Sequence, residues 1–204
     1  VLGNISNTII RDGEIHTPII NLYKLSNISE ERTHEGFQLK VNAGTSIQKF
    51  SKYLINKGIT GYEGLVGIPG TLGGGIVMNT SSYGSCISDY LVSVEYIEVN
   101  GKLSFLNKDE IDFGFRKSLF QEKKCLILNI NFLLPLKNLV GVEKTKKKTQ
   151  EIIKHRGEFQ EKKLPNLGSI FATKNLYRDL RKKNLLFYFA YFIYKILSFI
   201  FYKF

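Results

Sequence analysis

Residues 67–75 read GIPGTLGGG and run on into Ile76, Val77, Met78 and Asn79, and no other segment of this 204-residue chain points so directly to chemistry. Five glycines and a proline in nine positions carry backbone freedom that folding must remove, so the expectation is a loop, neither helix nor strand. Such a loop lets main-chain N–H groups close on a ligand. An anion, above all a phosphate, is what a concave set of amides binds. The polar run Asn79, Thr80, Ser81, Ser82, Tyr83 and Gly84 adds hydroxyl and amide donors. A nucleotide-type cofactor is the first expectation, and a plain turn between strands is the alternative that loop composition alone leaves open. The two commonest phosphate loops are excluded. No Gly-Lys-Ser/Thr closes the segment as in a Walker A sequence, and no GxGxxG precedes an acidic residue some twenty positions on.

Other chemistries find less support. His16, His34 and His155 are scattered without a helical i, i+4 pair, and Cys86 and Cys125 stand apart from any CxxC, so no metal site is expected. The two thiols read as buried, in a reducing compartment. No charged segment leads into an apolar stretch with a small-residue cleavage site, so nothing marks secretion. The chain opens at Val1 in what reads as a buried strand, and the expectation is a fragment whose true N-terminus lies upstream. At 43% hydrophobic it can bury a core of one large domain, or of one domain and part of another.

The net charge of +11 sits mostly in the C-terminal third. Residues 137–163 hold nine Lys/Arg against four Asp/Glu, and residues 174–183 hold five against one. Nucleic acid is the weakest of the partners such a segment can meet, since no recognised motif accompanies the charge. For residues 144–163 a solvated lysine-rich helix face explains it equally well. Residues 185–204, LLFYFAYFIYKILSFIFYKF, are apolar or aromatic except for Lys195, Ser198 and Lys203, and follow Arg181, Lys182 and Lys183. That length approaches a membrane span, and the basic flank favours a cytoplasmic side. The mid-segment lysine admits instead a helix lying in the interface, and a buried helix is the plain reading.

The elements that must position the glycine loop are mixed. Val1, Leu2 and then Thr8, Ile9 and Ile10 read as strand edges around a turn at residues 3–7, with further strands at residues 17–22 and 37–43. Thr45 or Ser46 caps a helix with Ile47, Phe50 and Leu54 on one face and Gly58 at its end. Residues 91–99 alternate as a strand, Asn100-Gly101 is a hairpin turn into residues 102–106, and residues 125–134 form another strand. A long helix over residues 143–163 follows, then a turn at Pro165-Asn166. Strands with one packed helix and then a helical portion make the class α+β.

Four collinear stretches carry a resemblance: VLGNISNTIIRDG at residues 1–13, NAGTSIQKFSKYLINKGITGYEGLVGIPGTLGGGIVMNTSSYG at 42–84, FGFRKSLF at 113–120 and LPNLGSIF at 164–171. In this order they resemble the landmarks of the UDP-N-acetylenolpyruvoylglucosamine reductases, bacterial flavoenzymes of peptidoglycan precursor synthesis. Their FAD-binding domain is of the type shared with vanillyl-alcohol oxidase. The resemblance covers residues 1–173 and implies a flavin domain over 1–135, incomplete at its N-terminus. It also implies the start of a substrate-binding region over 136–175, truncated or replaced, with 176–204 a separate basic and aromatic tail.

The resemblance also implies roles. Gly3, Asn4, Ser6 and Asn7 match a first flavin diphosphate loop, and Ile68, Pro69, Gly70, Thr71, Gly73 and Gly74 a second. Asn79, Tyr83 and Gly84 match the segment near the isoalloxazine. Arg116 falls at the arginine of a Tyr-Arg-x-Ser motif with Ser118 at its serine, and Ser169 at the proton-donating serine of Gly-Ser-x-Phe. The cofactors implied are FAD and NADPH, the substrate is the enolpyruvyl ether of UDP-N-acetylglucosamine, and the location is cytoplasmic. In that reaction hydride reaches the β carbon and a proton the α carbon. A guanidinium that never loses its charge suits the carboxylate on which charge develops, and a hydroxyl beside it in a dry pocket can deliver a proton. The departures are Phe115 for tyrosine, Ile5 where glycine is usual, Thr80-Ser81 for Ala-Gly, and no counterpart of the family's C-terminal glutamate. They keep a second class open, a membrane-associated homologue that binds flavin or nucleotide in surface polysaccharide assembly without turnover.

Overall fold

Alternating apolar residues build the sheet on which the glycine segment rests. The computed structural model of the chain describes residues 1–10 and 12–159. In chain order these form β1 (Ile28–Arg32), β2 (Gly36–Asn42), α1 (Ile47–Lys57), α2 (Leu72–Val77), β3 (Ser81–Ser82), β4 (Ser85–Cys86), β5 (Leu91–Glu98), β6 (Leu103–Asn107), β7 (Cys125–Pro135) and α3 (Val142–Phe159). Five strands lie side by side as β1-β2-β7-β5-β6, every neighbour antiparallel, and β3 pairs with β4 in a separate hairpin. The class is α+β.

Period-two patterning decides which face is inside. Phe37, Leu39 and Val41 of β2 are buried while Gln38 and Lys40 between them are exposed, and Ile130, Phe132 and Leu134 of β7 continue the same buried face. Helix α1 lays Ile47, Phe50 and Leu54 on it. Phe50 stacks on Phe132 with ring centroids 5.0 Å apart, and Tyr62 closes the cluster edge-on to Phe132. The ends of α1 follow from side-chain chemistry. The Ser46 hydroxyl accepts from the Lys49 amide at 3.0 Å, and Gly58 takes the left-handed conformation, φ +70°, that a β carbon disfavours. The outer face is polar: the Lys40 ammonium lies 2.8 Å from the Glu95 carboxylate, which Asn129 also donates to at 2.8 Å.

Helix α3 carries five lysines and is mostly exposed, yet Val142, Thr145, Thr149, Ile152 and Arg156 recur at steps of three, four, three and four along one side, and all are buried or half-buried. Its dock is Glu63, only 2% exposed, whose carboxylate accepts from the Gly61 amide at 2.8 Å and from the Thr60 hydroxyl, and faces Lys148 Nζ at 3.3 Å. Burial by itself would raise the Glu63 pKa. The hydrogen bonds from Thr60, from Gly61 and from its own amide, with the Lys148 charge, outweigh it and hold the carboxyl below the ordinary 4.5. A carboxyl lowered in the folded state stabilises above its unfolded pKa and loses that contribution as pH falls through the folded one. Glu63→Gln is therefore expected to cost about 2 kcal/mol at neutral pH. The gap to wild type should close as pH drops below about 4.5, read from urea denaturation at a series of pH values; a gap that does not narrow in acid would refute it.

Several expectations are corrected. Residues 17–22 are not a strand. Asn21 makes one isolated parallel bridge to Leu2, with the Leu2 amide donating to the Ile20 carbonyl at 2.8 Å, and residues 8–10 form no strand edge. Residues 17–21 are exposed and only Leu22 packs against the core, so no buried face imposes alternation and β-branched residues alone do not make a strand. Strand β1 falls instead on ISEER, a polar edge that hydropathy passes over. Cys86 and Cys125 are half-buried rather than buried. Part of the glycine segment is helical after all, in α2. The end expected for the long helix at residue 163, the Pro165 turn, Ser169 and the 185–204 tail lie outside the described residues. Among the described residues no helix is long and apolar enough to cross a membrane.

Candidate functional site

Helix α2 forms despite three consecutive glycines because its first turn is anchored from outside. Thr71 is its N-cap, accepting from the Gly74 amide at 3.4 Å. The Leu72 amide donates to the Thr45 carbonyl and the Gly73 amide to the Ala43 carbonyl, both at 2.8 Å. Missing side chains permit the contact: a β carbon on Gly73 would come 3.0 Å from that of Ala43. The glycines thus serve close packing against the end of β2, and the amides of Leu72 and Gly73 are not free for an anion.

The amides that remain lie where the two sequence-predicted loops meet. A β carbon built on Gly3 would stand 2.4 Å from Thr71 Oγ1, and one on Gly70 2.9 Å from Ser6 Oγ. Residues 3–7 and 70–74 therefore face each other in contact. Gly70, at φ +124°, turns the chain between exposed Pro69 and buried Thr71, and the Ile47 amide donates to its carbonyl at 3.0 Å. The amides of residues 3–7, Gly70 and Thr71 find no backbone acceptor among the described residues. Beside them opens a cleft of about 390 Å³ lined by Gly3, Asn4, Ile5, Asn21, Tyr23 and Lys24. The amides of residues 3–5 and Lys24 line this cleft, those of Gly70 and Thr71 lie outside its lining on the neighbouring loop, and together they are the donors a diphosphate would need. Lys24 and Tyr23 were not legible as site residues, since only the Leu2–Asn21 bridge brings their segment beside Gly3.

Helix α2 leads from this meeting point to the second half of the site. Six residues at a rise of about 1.5 Å separate the ends by roughly 9 Å. At its far end Asn79 takes φ +42°, its Nδ2 donating to the Gly114 carbonyl at 2.9 Å and its Oδ1 facing Cys86 Sγ at 3.0 Å. Buried Ser118 donates to the Val77 carbonyl at 2.8 Å, and Gln121 Nε2 donates to the Arg116 carbonyl at 2.9 Å. The loop carrying Arg116 is thus pinned to the end of α2. Arg116 Nη2 reaches the Ser81 carbonyl at 3.5 Å, a long contact for a guanidinium, and its Cζ stands 6.0 Å from the Phe115 ring centroid. Tyr83 and Gly84 form the exposed tip of the β3–β4 hairpin.

Backbone strain gathers at these positions. Ile5, Asn79, Tyr83, Asp112 and Arg116 are the non-glycine residues with φ between +42° and +56° among those described. Each left-handed residue costs about 1–2 kcal/mol, most for the β-branched Ile5, and such strain persists where the surroundings impose it. Thr80 and Ser81, by contrast, are absent from that set, so the side chains they carry fit the backbone they adopt. Of the sequence-predicted residues, Gly3, Asn4, Ser6 and Asn7 stand together with Gly70, Thr71 and Gly74, with Ile68 and Pro69 leading in. Asn79, Tyr83, Gly84 and Arg116 form the second group. Ser169 lies outside the described residues.

Residues 1–107 match the FAD binding domain family. The chain is 32% identical over 171 residues to the UDP-N-acetylenolpyruvoylglucosamine reductase of Lactococcus lactis subsp. cremoris, covering 84% of this chain and 55% of that protein. It is 31% identical over 172 residues to the reductase of the same name from Streptococcus pneumoniae, covering 84% and 54%. The chain spans about half the length of the curated relatives it matches. Among solved structures, UDP-N-acetylenolpyruvylglucosamine reductase from Thermus caldophilus superposes with a TM-score of 0.63 at 23% identity, over 89% of this chain and 65% of that one, a likeness of fold.

Proposed function

We propose that this chain, which belongs to the FAD binding domain family, binds FAD with its diphosphate between residues 3–7 and 70–74, as part of a reductase of the enolpyruvyl ether of UDP-N-acetylglucosamine. The observation that supports it most is the contact of those two loops, Gly3 on Thr71 and Gly70 on Ser6, with unbonded amides on both. Gly3, Asn4, Ser6 and Asn7 would hold one side of the diphosphate, Gly70 and Thr71 the other, with Ile68, Pro69, Gly73 and Gly74 shaping the second turn. Residues 1–135 would be the flavin domain, 136–175 the start of a substrate-binding region, and 176–204 a tail.

FAD bound there would supply hydride transfer to the vinyl ether, with NADPH the donor that loads it. The protein's own part is placement and charge. Asn79, Tyr83 and Gly84 would bound the ring, held by the Gly114 carbonyl and the β3–β4 turn. Arg116 would clamp the substrate carboxylate as negative charge grows on it. Among the described residues its guanidinium makes one long bond, to the Ser81 carbonyl, which leaves other donors for a carboxylate. Ser169 would deliver the proton to the α carbon.

Purified full-length chain is expected to take up FAD and show its visible absorbance, to bleach on addition of NADPH, and to regain colour when the enolpyruvyl sugar nucleotide is added. A preparation that stays colourless after reconstitution would reject the flavin assignment. Colour that bleaches but is not restored by the sugar nucleotide would reject the substrate assignment alone.

A further inference from the structure

We propose that Arg156, at the last turn of α3, is a positioning residue for the flavin face of the site, acting through the β3–β4 hairpin. Two pieces of chain, the segment at Gly64 and the β3–β4 hairpin, meet on its guanidinium. Nη2 donates to the Gly64 carbonyl at 3.2 Å and to Ser82 Oγ at 3.0 Å, and Cζ lies 4.9 Å from the Tyr83 ring centroid, within cation–π range. The Tyr83 hydroxyl is 3.0 Å from His155 Nδ1, the imidazole standing edge-on to the phenol ring. The stem of Arg156 passes Gly67, where a β carbon would touch Cδ at 3.4 Å. Its Nε is buried and has no hydrogen-bond partner among the described residues, so the side chain accepts a polar loss to reach this pose.

The hairpin needs such a hold. It has two residues in each strand, and two residue pairs cannot keep Tyr83 at φ +47° unaided. Gly64 Cα lies against the same hairpin, where a β carbon would come 2.1 Å from the Ser82 carbonyl. Ser82 takes Arg156, while the neighbouring Ser81 carbonyl takes Arg116. Strand β3 is therefore held by Arg156 from α3 and only touched at long range by Arg116 from the 112–118 loop, and releasing Arg156 lets Tyr83 swing and moves the carbonyl that Arg116 is set against. The helix that opens the proposed substrate region thereby sets the shape of the proposed flavin pocket. The consequence for FAD rests on the reading given under Proposed function; the grip on the hairpin does not.

The test uses the full chain. In the FAD-free protein, Arg156→Ala is expected to speed amide hydrogen exchange at residues 81–86 at least tenfold, with β5 and β7 unchanged. Lys148→Ala, which removes another tether of α3, should leave residues 81–86 as in wild type. In the FAD-loaded protein, Arg156→Ala should weaken FAD about tenfold and shift its visible spectrum, neither of which Lys148→Ala should do. Arg156→Lys, kept in case the alanine form does not fold, should show the same pattern at smaller size. Unchanged exchange at residues 81–86, or equal acceleration by Lys148→Ala, would overturn the proposal, as would faster exchange with FAD affinity and spectrum unaltered. Failure of the wild type to bind FAD would defeat the flavin assignment instead, and the exchange result would still decide the grip.

Discussion

Gly3→Ala is expected to weaken FAD binding by about 100-fold, near 2.8 kcal/mol, while the melting temperature moves by only a few degrees. The new methyl would stand 2.4 Å from Thr71 Oγ1 and 3.3 Å from its Cγ2. Thr71 is 4% exposed, and its hydroxyl caps α2 through the Gly74 amide. Rotating it away breaks the cap, at about 1 kcal/mol, and turns the other branch into the same space. Otherwise residues 3–7 move off residues 70–74, and the two sets of amides no longer reach one diphosphate. Stability is spared because residues 4–10 are exposed and lie outside the core. A double-mutant cycle separates the two routes. Thr71→Ala removes the colliding atoms, so Gly3→Ala with Thr71→Ala should bind FAD more tightly than Gly3→Ala alone, with a coupling of at least about 1 kcal/mol. Flavin titration followed by fluorescence quenching reads all four proteins. Wild-type affinity in Gly3→Ala would mean that the two loops need not be in contact to hold the cofactor.

What could be read in advance followed the range of the forces involved. Helix α1 was legible because its cap, its apolar spacing at Ile47, Phe50 and Leu54 and its terminal Gly58 all lie within thirteen residues. Strands β2, β5 and β7 were legible because one buried face imposes alternation. Helix α2 was not, since three glycines argue against a helix locally and the bonds that overrule them come from Ala43 and Thr45, some thirty residues earlier. β1 escaped notice for the same reason in reverse: ISEER has no strand signal, and its register is set by pairing with β2. In the site, the glycines and polar residues were named by the motifs they stand in, whereas Lys24 and Tyr23 reach the cleft only through one backbone bridge. Arg156 was hidden in a basic run whose net charge is dominated by exposed lysines. What marks it is its spacing from Thr145, Thr149 and Ile152, three neutral residues too few to register as an apolar stripe.

Arg116→Ala is expected to lower the rate at which the enolpyruvyl substrate reoxidises the reduced enzyme by about 10³-fold, the size of effect seen when a donor to developing negative charge is removed. The backbone gives the reason for singling this arginine out. Arg116 holds φ +56°, and Gly114 and Lys117 exchange backbone hydrogen bonds around it at 3.0 and 3.2 Å, closing a tight turn that aims the side chain at β3. A long charged residue in a pose suited to glycine costs about 1–2 kcal/mol. Among the described residues its guanidinium receives little in exchange, one 3.5 Å bond to Ser81 and a 6.0 Å approach to the Phe115 ring, too little to offset the strain. A ligand carboxylate would, since two parallel N–H bonds from a planar fork exceed one long bond to a neutral carbonyl. It follows that Arg116→Gly should leave the fold as stable as wild type or more so while losing the same rate, a separation that a structural arginine would not show. Arg116→Lys should recover only a small part, because an ammonium gives the charge without the fork. On the proposed reading, reduction of the bound flavin by NADPH should remain within about threefold in all three variants, since the carboxylate that Arg116 would clamp belongs to the second substrate. Stopped-flow traces at the flavin absorbance resolve the two half-reactions. A loss confined to the NADPH half-reaction, or Arg116→Gly that unfolds at lower denaturant than wild type, would move Arg116 out of the substrate site.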